Sequence, residues 1–228
     1  MSDLLEPNVL DIQSRLLDWF RVFGRQFPWR QTDDPYAILL AEKLLQQTVV
    51  RESVIQAYND LLAAYPTPAA LAEADPGSIQ AIIQPLGLHY RSQELVALAR
   101  YISEKCGGHV PQDFRSLLAL PGVGDYTARA VLCFAFGQDV PVVDTNVARI
   151  LYRLFGLPGK VPANPARKQR LIALAGSLVP EGKSRQFNWA MIDFGSLVCK
   201  SSKPLCAKCR MQQLCRYYTI RRDKNDET

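Results

Sequence analysis

Cys199, Cys206, Cys209 and Cys215 are spaced C-x6-C-x2-C-x5-C. Four thiolates in so short a run can converge on one metal centre, because the tight Cys-x2-Cys turn supplies two ligands and the flanking arms supply two more. Zinc usually takes four thiolates as two short Cys-x2-4-Cys pairs. A single pair with one cysteine on either side suits the corners of a 4Fe–4S cube better. A pair of disulfides is the other possibility, and nothing else in the chain looks secreted. From Lys200 to Arg222 there are seven Lys or Arg and no acid. Lys203, Lys208 and Arg210 thus place positive charge on the cysteine segment, which suits a phosphate backbone; a solvated basic tail would carry the same charges.

Two carboxylates stand out. Asp144 follows Val140-Pro141-Val142-Val143 and precedes a helical run with Val147, Ile150, Leu151 and Leu154. It reads as an N-cap, and a carboxylate at a helix N-terminus is favoured in its ionised form, able to stabilise a developing sugar cation. Glu42 interrupts an apolar stripe, with Ile38 and Leu39 before it and Leu45 and Gln46 after it. Burial there would raise its pKa, and a carboxyl kept protonated near neutrality can donate a proton to a leaving base. A glutamate edging into solvent or paired with a buried arginine is the plainer reading.

Leu120-Pro121-Gly122-Val123-Gly124 separates two short helical patterns, and Asp125-Tyr126-Thr127-Ala128 opens the second. The two glycines allow a sharp turn and close approach of a ligand to the backbone. The turn amides lie at a helix N-terminus, which attracts an anion. Helix, LPGVG, helix over about 113–136 is a helix–hairpin–helix, able to take a nucleic-acid phosphate without reading bases; a plain glycine-capped helical corner would share the pattern.

The elements that must position these residues are helical. Val9, Ile12, Leu16, Trp19, Phe20 and Phe23 recur at helical spacing. Asp34-Pro35 reads as cap and first-turn proline of a helix running to about Val49. Further helices are predicted at about 52–65, 78–84, 91–106, 113–119, 125–136, 145–155, 165–179 and 184–198, the 165–179 helix starting at Asn164-Pro165. Short Gly/Pro punctuation separates them, and no two-residue alternation, repeat or low-complexity linker interrupts. The chain is predicted all-α, with Asp223 to Thr228 as a disordered tail.

The 228 residues, 48% hydrophobic and 21% charged with a formal net charge of +5, suit a soluble globular protein with a full core. The start has acidic residues and no uninterrupted apolar run, so it does not read as a signal peptide. No stretch reaches the ~18 apolar residues that would span a bilayer. Cys106 and Cys133 read as buried thiols in helices, and a reducing cytoplasmic compartment is expected.

Taken in order, these pieces resemble the helix–hairpin–helix DNA glycosylase superfamily, which includes endonuclease III and the adenine DNA glycosylases. The motifs are Phe27-Pro28-Trp29-Arg30, Asp34-Pro35-Tyr36, Glu42 with Leu44-Leu45-Gln46-Gln47-Thr48, LPGVG, Val143-Asp144-Thr145-Asn146-Val147 and the four cysteines. The resemblance implies a two-lobed all-α fold: a helical-bundle lobe over 30–138, and a second lobe of 1–29 plus 139–222 with a structural 4Fe–4S loop at 199–215. It implies a monomer acting on double-stranded DNA in a cleft, nucleoid-associated, with a mispaired or damaged nucleotide flipped out and Asp144 beside its sugar. Flipping is needed because the glycosidic bond is inaccessible in a stacked duplex. By the same resemblance Leu120, Gly122, Val123, Gly124 and Thr127 face the DNA. Gln46, Gln47, His89 and Tyr90 are candidate wedges for the vacated stack.

Endonuclease III-like lyases carry a lysine two residues after Gly-x-Gly, whose amine forms a Schiff base with the sugar. Here that position is Tyr126, and no lysine lies between Asp125 and Gly137. Lys43 faces about 100° away from Glu42 on an ideal helix. The resemblance therefore implies a monofunctional glycosylase that leaves an abasic site. Glu42 and Gln46-Gln47-Thr48 look like the adenine branch, acting on A opposite G or 8-oxoguanine. Gly124-Asp125-Tyr126-Thr127, Cys133-x-Ala135-Phe136-Gly137, Leu178-Val179-Pro180-x-Gly182-Lys183, Phe187-Asn188 and Cys215-x-Tyr217-Tyr218 look like the archaeal-type thymine–DNA mismatch glycosylases, which remove T or U opposite G. Gln46-Gln47 departs from that branch, where an arginine pair is expected. The reading taken forward is thymine/uracil, with adenine removal as the alternative. A non-catalytic 4Fe–4S DNA-binding module is the third reading, disfavoured by the presence of both Glu42 and Asp144.

Overall fold

The computed structural model describes residues 8–48, 50–87 and 91–226, with side chains as far as Arg221. The helices, in chain order, are α1 (Val9–Phe23), α2 (Pro35–Leu45), α3 (Glu52–Ala64), α4 (Pro68–Ala72), α5 (Pro76–Ile83), α6 (Arg91–Lys105), α7 (Phe114–Leu118), α8 (Asp125–Phe134), α9 (Thr145–Phe155), α10 (Gln169–Gly176), α11 (Ser184–Leu197) and α12 (Arg216–Asp226). There is no strand among the described residues. No described helix is long and apolar enough to cross a membrane. The chain divides into two compact units, one of Met1–Arg25 and Gly137–Thr228, the other of Gln26–Phe136.

In the unit Gln26–Phe136, α2 is the central element. Asp34 caps it by accepting from Tyr36 N at 3.0 Å, and Pro35 fills its first turn, where a missing N–H costs nothing. Every residue from Tyr36 to Leu44 is buried, so the helix has no solvent face. Ile38, Leu39, Leu40 and Leu44 are each at most 2% exposed. The helix stops at Leu45, short of the expected end; Gln47 adopts φ 58°, a left-handed backbone rare for a residue with a Cβ. Val49, where the sequence placed that end, lies outside the described residues. Phe27 and Trp29 stack at 5.0 Å, and Trp29 meets Tyr58 edge-on at 5.3 Å. The Phe-Pro-Trp-Arg motif is thus a packed aromatic entry to the unit, with Arg30 over the Phe27 ring.

In the other unit, the core joins Ile12, Leu16 and Trp19 of α1 to Val147, Ile150, Leu151 and Leu154 of α9 and to Phe187, Ala190, Met191 and Phe194 of α11. Each set recurs at three- and four-residue spacing, which gives one apolar stripe per helix. Asp193 on α11 is 0% exposed and takes the Arg25 guanidinium from two donors at 2.8 and 2.6 Å, and the Arg25 N–H at 2.9 Å. Asp193→Ala should lower the unfolding free energy by about 3 kcal/mol, the lower end of the cost of breaking a buried pair, since Arg25 is 28% exposed. Chemical denaturation measures it, and a midpoint unchanged from wild type would show the pair to be neutral.

Several expectations shift. The segment after Asn164 forms a 3-10 turn, Pro165–Arg167, before α10 begins at Gln169. The short α4, with Thr67 accepting from Ala70 N, was not read from the sequence. Helix α12 runs to Asp226, into the segment expected to be a disordered tail; Arg221 donates to the Tyr217 hydroxyl one turn back, at 2.9 Å. Cys133 is buried within α8, whereas Cys106 is half-buried and lies just past the end of α6.

Candidate nucleic-acid interface and active site

The hairpin of the unit Gln26–Phe136 joins α7 to α8. Asp113 caps α7 through Ser116 N at 3.0 Å, and Arg129 of α8 lies over the Phe114 ring at 4.7 Å, which holds the two helices together. Val123 N donates to Leu120 O at 3.1 Å to close the turn, with Gly122 at φ +68°, a conformation that glycine adopts without strain. Gly124 is the N-cap of α8 and makes no side-chain cap hydrogen bond, and a helix N-terminus of this kind attracts an anion. Leu120, Val123 and Thr127 are buried at 2%, 8% and 2%. These residues prop the hairpin from inside.

Gln46 is half-buried. Its Nε2 donates to Gly122 O at 3.3 Å and to Thr127 Oγ1 at 3.2 Å, which ties the end of α2 to the hairpin. Gln47 is exposed in its left-handed conformation. His89 and Tyr90 lie outside the described residues. Glu42 is 6% exposed, inside the helical core rather than at its edge. Tyr126 is half-buried on the first turn of α8. Lys43 is 1% exposed and donates to Gly122 O at 3.0 Å, a contact that helical periodicity did not reveal.

In the other unit, Asp144 caps α9: Oδ1 accepts from Val147 N at 2.7 Å, and Oδ2 accepts from Asn146 Nδ2 at 2.8 Å. The approach to it is fixed by Asn188, whose Oδ1 accepts from Val142 N at 2.8 Å while its Nδ2 donates to Val140 O at 3.0 Å and Ser184 O at 2.9 Å. One buried amide thereby does for an extended segment what a neighbouring strand would do. Burial pushes the Asp144 carboxyl above the ordinary carboxylate value, with its hydrogen bonds and Arg149 opposing. This reverses the expectation from the helix N-terminus alone: here desolvation outweighs the dipole.

The hydrogen bonds continue from Asp144 toward the cysteine segment. Arg149 Nη2 donates to Asn146 Oδ1 and to Gly195 O, both at 2.7 Å, and its Nε donates to Cys199 O at 2.8 Å. Arg153 donates to Lys200 O at 2.6 Å and Ser201 O at 3.0 Å, reaches Cys199 Sγ at 3.4 Å, and lies over the Tyr217 ring. The spacing of Asn146, Arg149 and Arg153 on the polar side of α9 was the available signal for this group. The fifty-residue reach to Cys199 was not in the pattern.

Cys199, Cys206, Cys209 and Cys215 line one cavity of about 20 Å³, together with Val198, Leu205, Tyr217 and Tyr218. Among the described residues no three Cys, His, Asp or Glu side chains are drawn together closely enough to hold a metal ion. Their chemistry nonetheless fits a cationic centre. Burial first, then the neighbouring thiolates, pushes Cys209 up to about 12 and raises Cys215. Four thiolates cannot share this cavity without positive charge among them. Lys203, Lys208 and Arg210 are exposed around them, Lys203 at φ 49°, and Arg210 O accepts from Arg15 of α1 at 2.9 Å.

The sequence matches the HhH-GPD superfamily base excision DNA repair protein family over residues 41–174, a span that holds Glu42, the hairpin and Asp144. The chain belongs to this superfamily. It is 38% identical over 211 residues to a thymine-DNA glycosylase of Aeropyrum pernix, covering 91% of this chain and 94% of that protein. It is 36% identical over 217 residues to the adenine DNA glycosylase of Homo sapiens, but covers only 39% of that protein's length. The solved structure of a thermostable thymine-DNA glycosylase superposes with a TM-score of 0.87 at 37% identity, covering 93% of this chain and 97% of that one.

Proposed function

We propose that this protein is a monofunctional DNA N-glycosylase of base excision repair that removes thymine or uracil opposite guanine from duplex DNA. The hairpin 120–124 and the N-terminus of α8 would take a backbone phosphate. An everted nucleotide would present its C1′ to Asp144. The C1′–N1 bond breaks with its electron pair leaving on the base, and the carboxylate steadies the sugar cation. Water then adds to C1′ and gives up a proton, leaving an abasic site. Glu42, buried at 6% exposure, would be the acid that protonates the departing base. Tyr126 stands where a lyase would need an amine, and a phenol cannot form an imine.

The observation that carries this reading is the half-buried Asp144 carboxyl, held by Val147 N and Asn146 Nδ2 at 2.7 and 2.8 Å at the head of a helix. Near-complete coverage of the Aeropyrum pernix thymine-DNA glycosylase, against less than half of the human adenine enzyme, supports the choice of base. Cys199, Cys206, Cys209 and Cys215 would hold a 4Fe–4S cluster. When bound, it would supply a fixed geometry to the basic loop carrying Lys203, Lys208 and Arg210.

A panel of duplexes carrying T·G, U·G, A·G and A·8-oxoguanine tests the proposal, with the freed bases resolved by chromatography. Thymine and uracil should appear, with adenine at least about tenfold slower. Adenine as the dominant product would instead place the protein with the adenine branch.

A further inference from the structure

Two cations are buried in the unit Gln26–Phe136, Lys43 and Arg91, each 1% exposed. Full burial is rare for either residue type and needs a reason. Arg91 has a structural one. Its guanidinium donates to the carbonyls of Lys43, Leu44 and Gln46, which are the orphan acceptors at the end of α2, where a positive charge is favourable. No comparable account exists for Lys43. Its ammonium donates to Gly122 O at 3.0 Å, to Gln46 Oε1 at 3.3 Å and only loosely to Glu94 Oε2 at 3.5 Å. Gly122 O already accepts from Gln46 Nε2, and the Glu94 side chain is 44% exposed, so water can satisfy it. An unbranched apolar side chain at position 43 would take a donor from Gly122 O, Gln46 Oε1 and Glu94 Oε2. Of these, Gly122 O keeps Gln46 Nε2, while the half-buried Gln46 and the partly exposed Glu94 can turn to water. The burial that Lys43 undergoes, which drives its pKa down against the pull of Glu94, is therefore a cost that folding does not require.

Its place indicates what it is for. The ammonium lies against the inner side of the LPGVG turn: a Cβ built on Gly122 would sit 2.5 Å from Lys43 Nζ. The carbonyl it holds belongs to the residue whose φ of +68° shapes the hairpin. A charge fixed in a poorly screened interior acts further than a surface lysine, which salt and water attenuate. We infer that Lys43 is a positioning residue for DNA binding, a buried cation that fixes the Gly122 carbonyl inward and adds positive potential beneath the phosphate-binding hairpin.

The inference rests on the hairpin being a DNA phosphate site, and the experiment separates the two. Binding of an undamaged duplex of about 25 base pairs is measured between about 50 and 200 mM salt, alongside thermal unfolding, for wild type, Lys43→Met and Glu94→Gln. Lys43→Met should bind about five- to tenfold more weakly at low salt, with a shallower dependence on salt, while its Tm holds or rises. Glu94→Gln, which removes only the facing negative charge, should bind equally well or up to about threefold more tightly. Lys43→Met binding like wild type would overturn the inference. So would a fall in Tm accompanying its loss of binding, or a Glu94→Gln variant as weak as Lys43→Met, since either would make the pair a structural lock. A wild-type protein that binds no duplex would sink the hairpin reading, and the inference with it.

Discussion

Asp144→Asn should abolish base release, by about a thousandfold or more under single turnover, while raising the thermal stability of the protein. The first effect follows because an amide cannot neutralise a sugar cation; loss of one preorganised electrostatic group commonly costs 10²–10³, and here a full charge is lost. The second follows from the sign of the pKa shift. Burial raises the Asp144 carboxyl above its unfolded value, so its contribution to stability is present below the ordinary carboxylate range and is lost as pH rises through the raised value. At neutral pH the ionised carboxylate is a burden on the fold. Asparagine keeps the cap on Val147 N and removes that burden, but its Nδ2 cannot accept from Asn146 Nδ2. The gain is the net of the two, on the order of 2–4 °C per kcal/mol of net relief. Wild-type base release should rise with pH on the acid side as Asp144 ionises, with the limb displaced above the usual carboxylate range, while stability falls over the same interval. Differential scanning calorimetry and a pH–rate profile read both; a variant that loses activity and Tm together would reduce Asp144 to a structural cap.

Gly195→Ala should cost about a hundredfold in base release although it improves helix propensity. Gly195 lies within α11, where alanine is favoured by ~1 kcal/mol. A Cβ there would meet Asn146 Cβ at 2.7 Å and the Asn146 carbonyl oxygen at 3.1 Å. That neighbour is backbone and a short side chain, not a flexible tip, so the first turn of α9 must shift. Asn146 holds Asp144 Oδ2, and Arg149 ties Asn146 to Gly195 O and Cys199 O. A displacement approaching 1 Å at the carboxylate is of the size that costs about 10² in rate. Full activity in Gly195→Ala would show that the register of α9 against α11 does not set the position of Asp144.

What could be read from the sequence was local. Asp34-Pro35 and the Asp144 cap act through backbone amides two or three residues away, and each shows in a short window. The LPGVG turn shows because only glycine tolerates its geometry at Gly122. What failed to show depended on contacts distant in the chain. Glu42 and Lys43 were read as though α2 had one buried face and one open one, but a helix buried on every side carries no periodicity to separate them. The ties of Gln46 to Gly122 and Thr127 did not show because those partners lie about eighty residues on. The path from Asp144 through Asn146 and Arg149 to Cys199 could be half seen in the polar spacing on α9. Its far end was set by packing of α9 on α11, and no window of sequence contains that. Helix α12 was missed because charge dominates its composition and little apolar stripe marks it.

The most direct measurement is a single-turnover incubation of wild-type protein with a T·G duplex, resolved on a denaturing gel with and without hot alkali. Hydrolysis at an Asp144-stabilised sugar cation predicts strand breaks at the thymine only after alkali. An intact strand under both conditions, or scission without alkali, would contradict it.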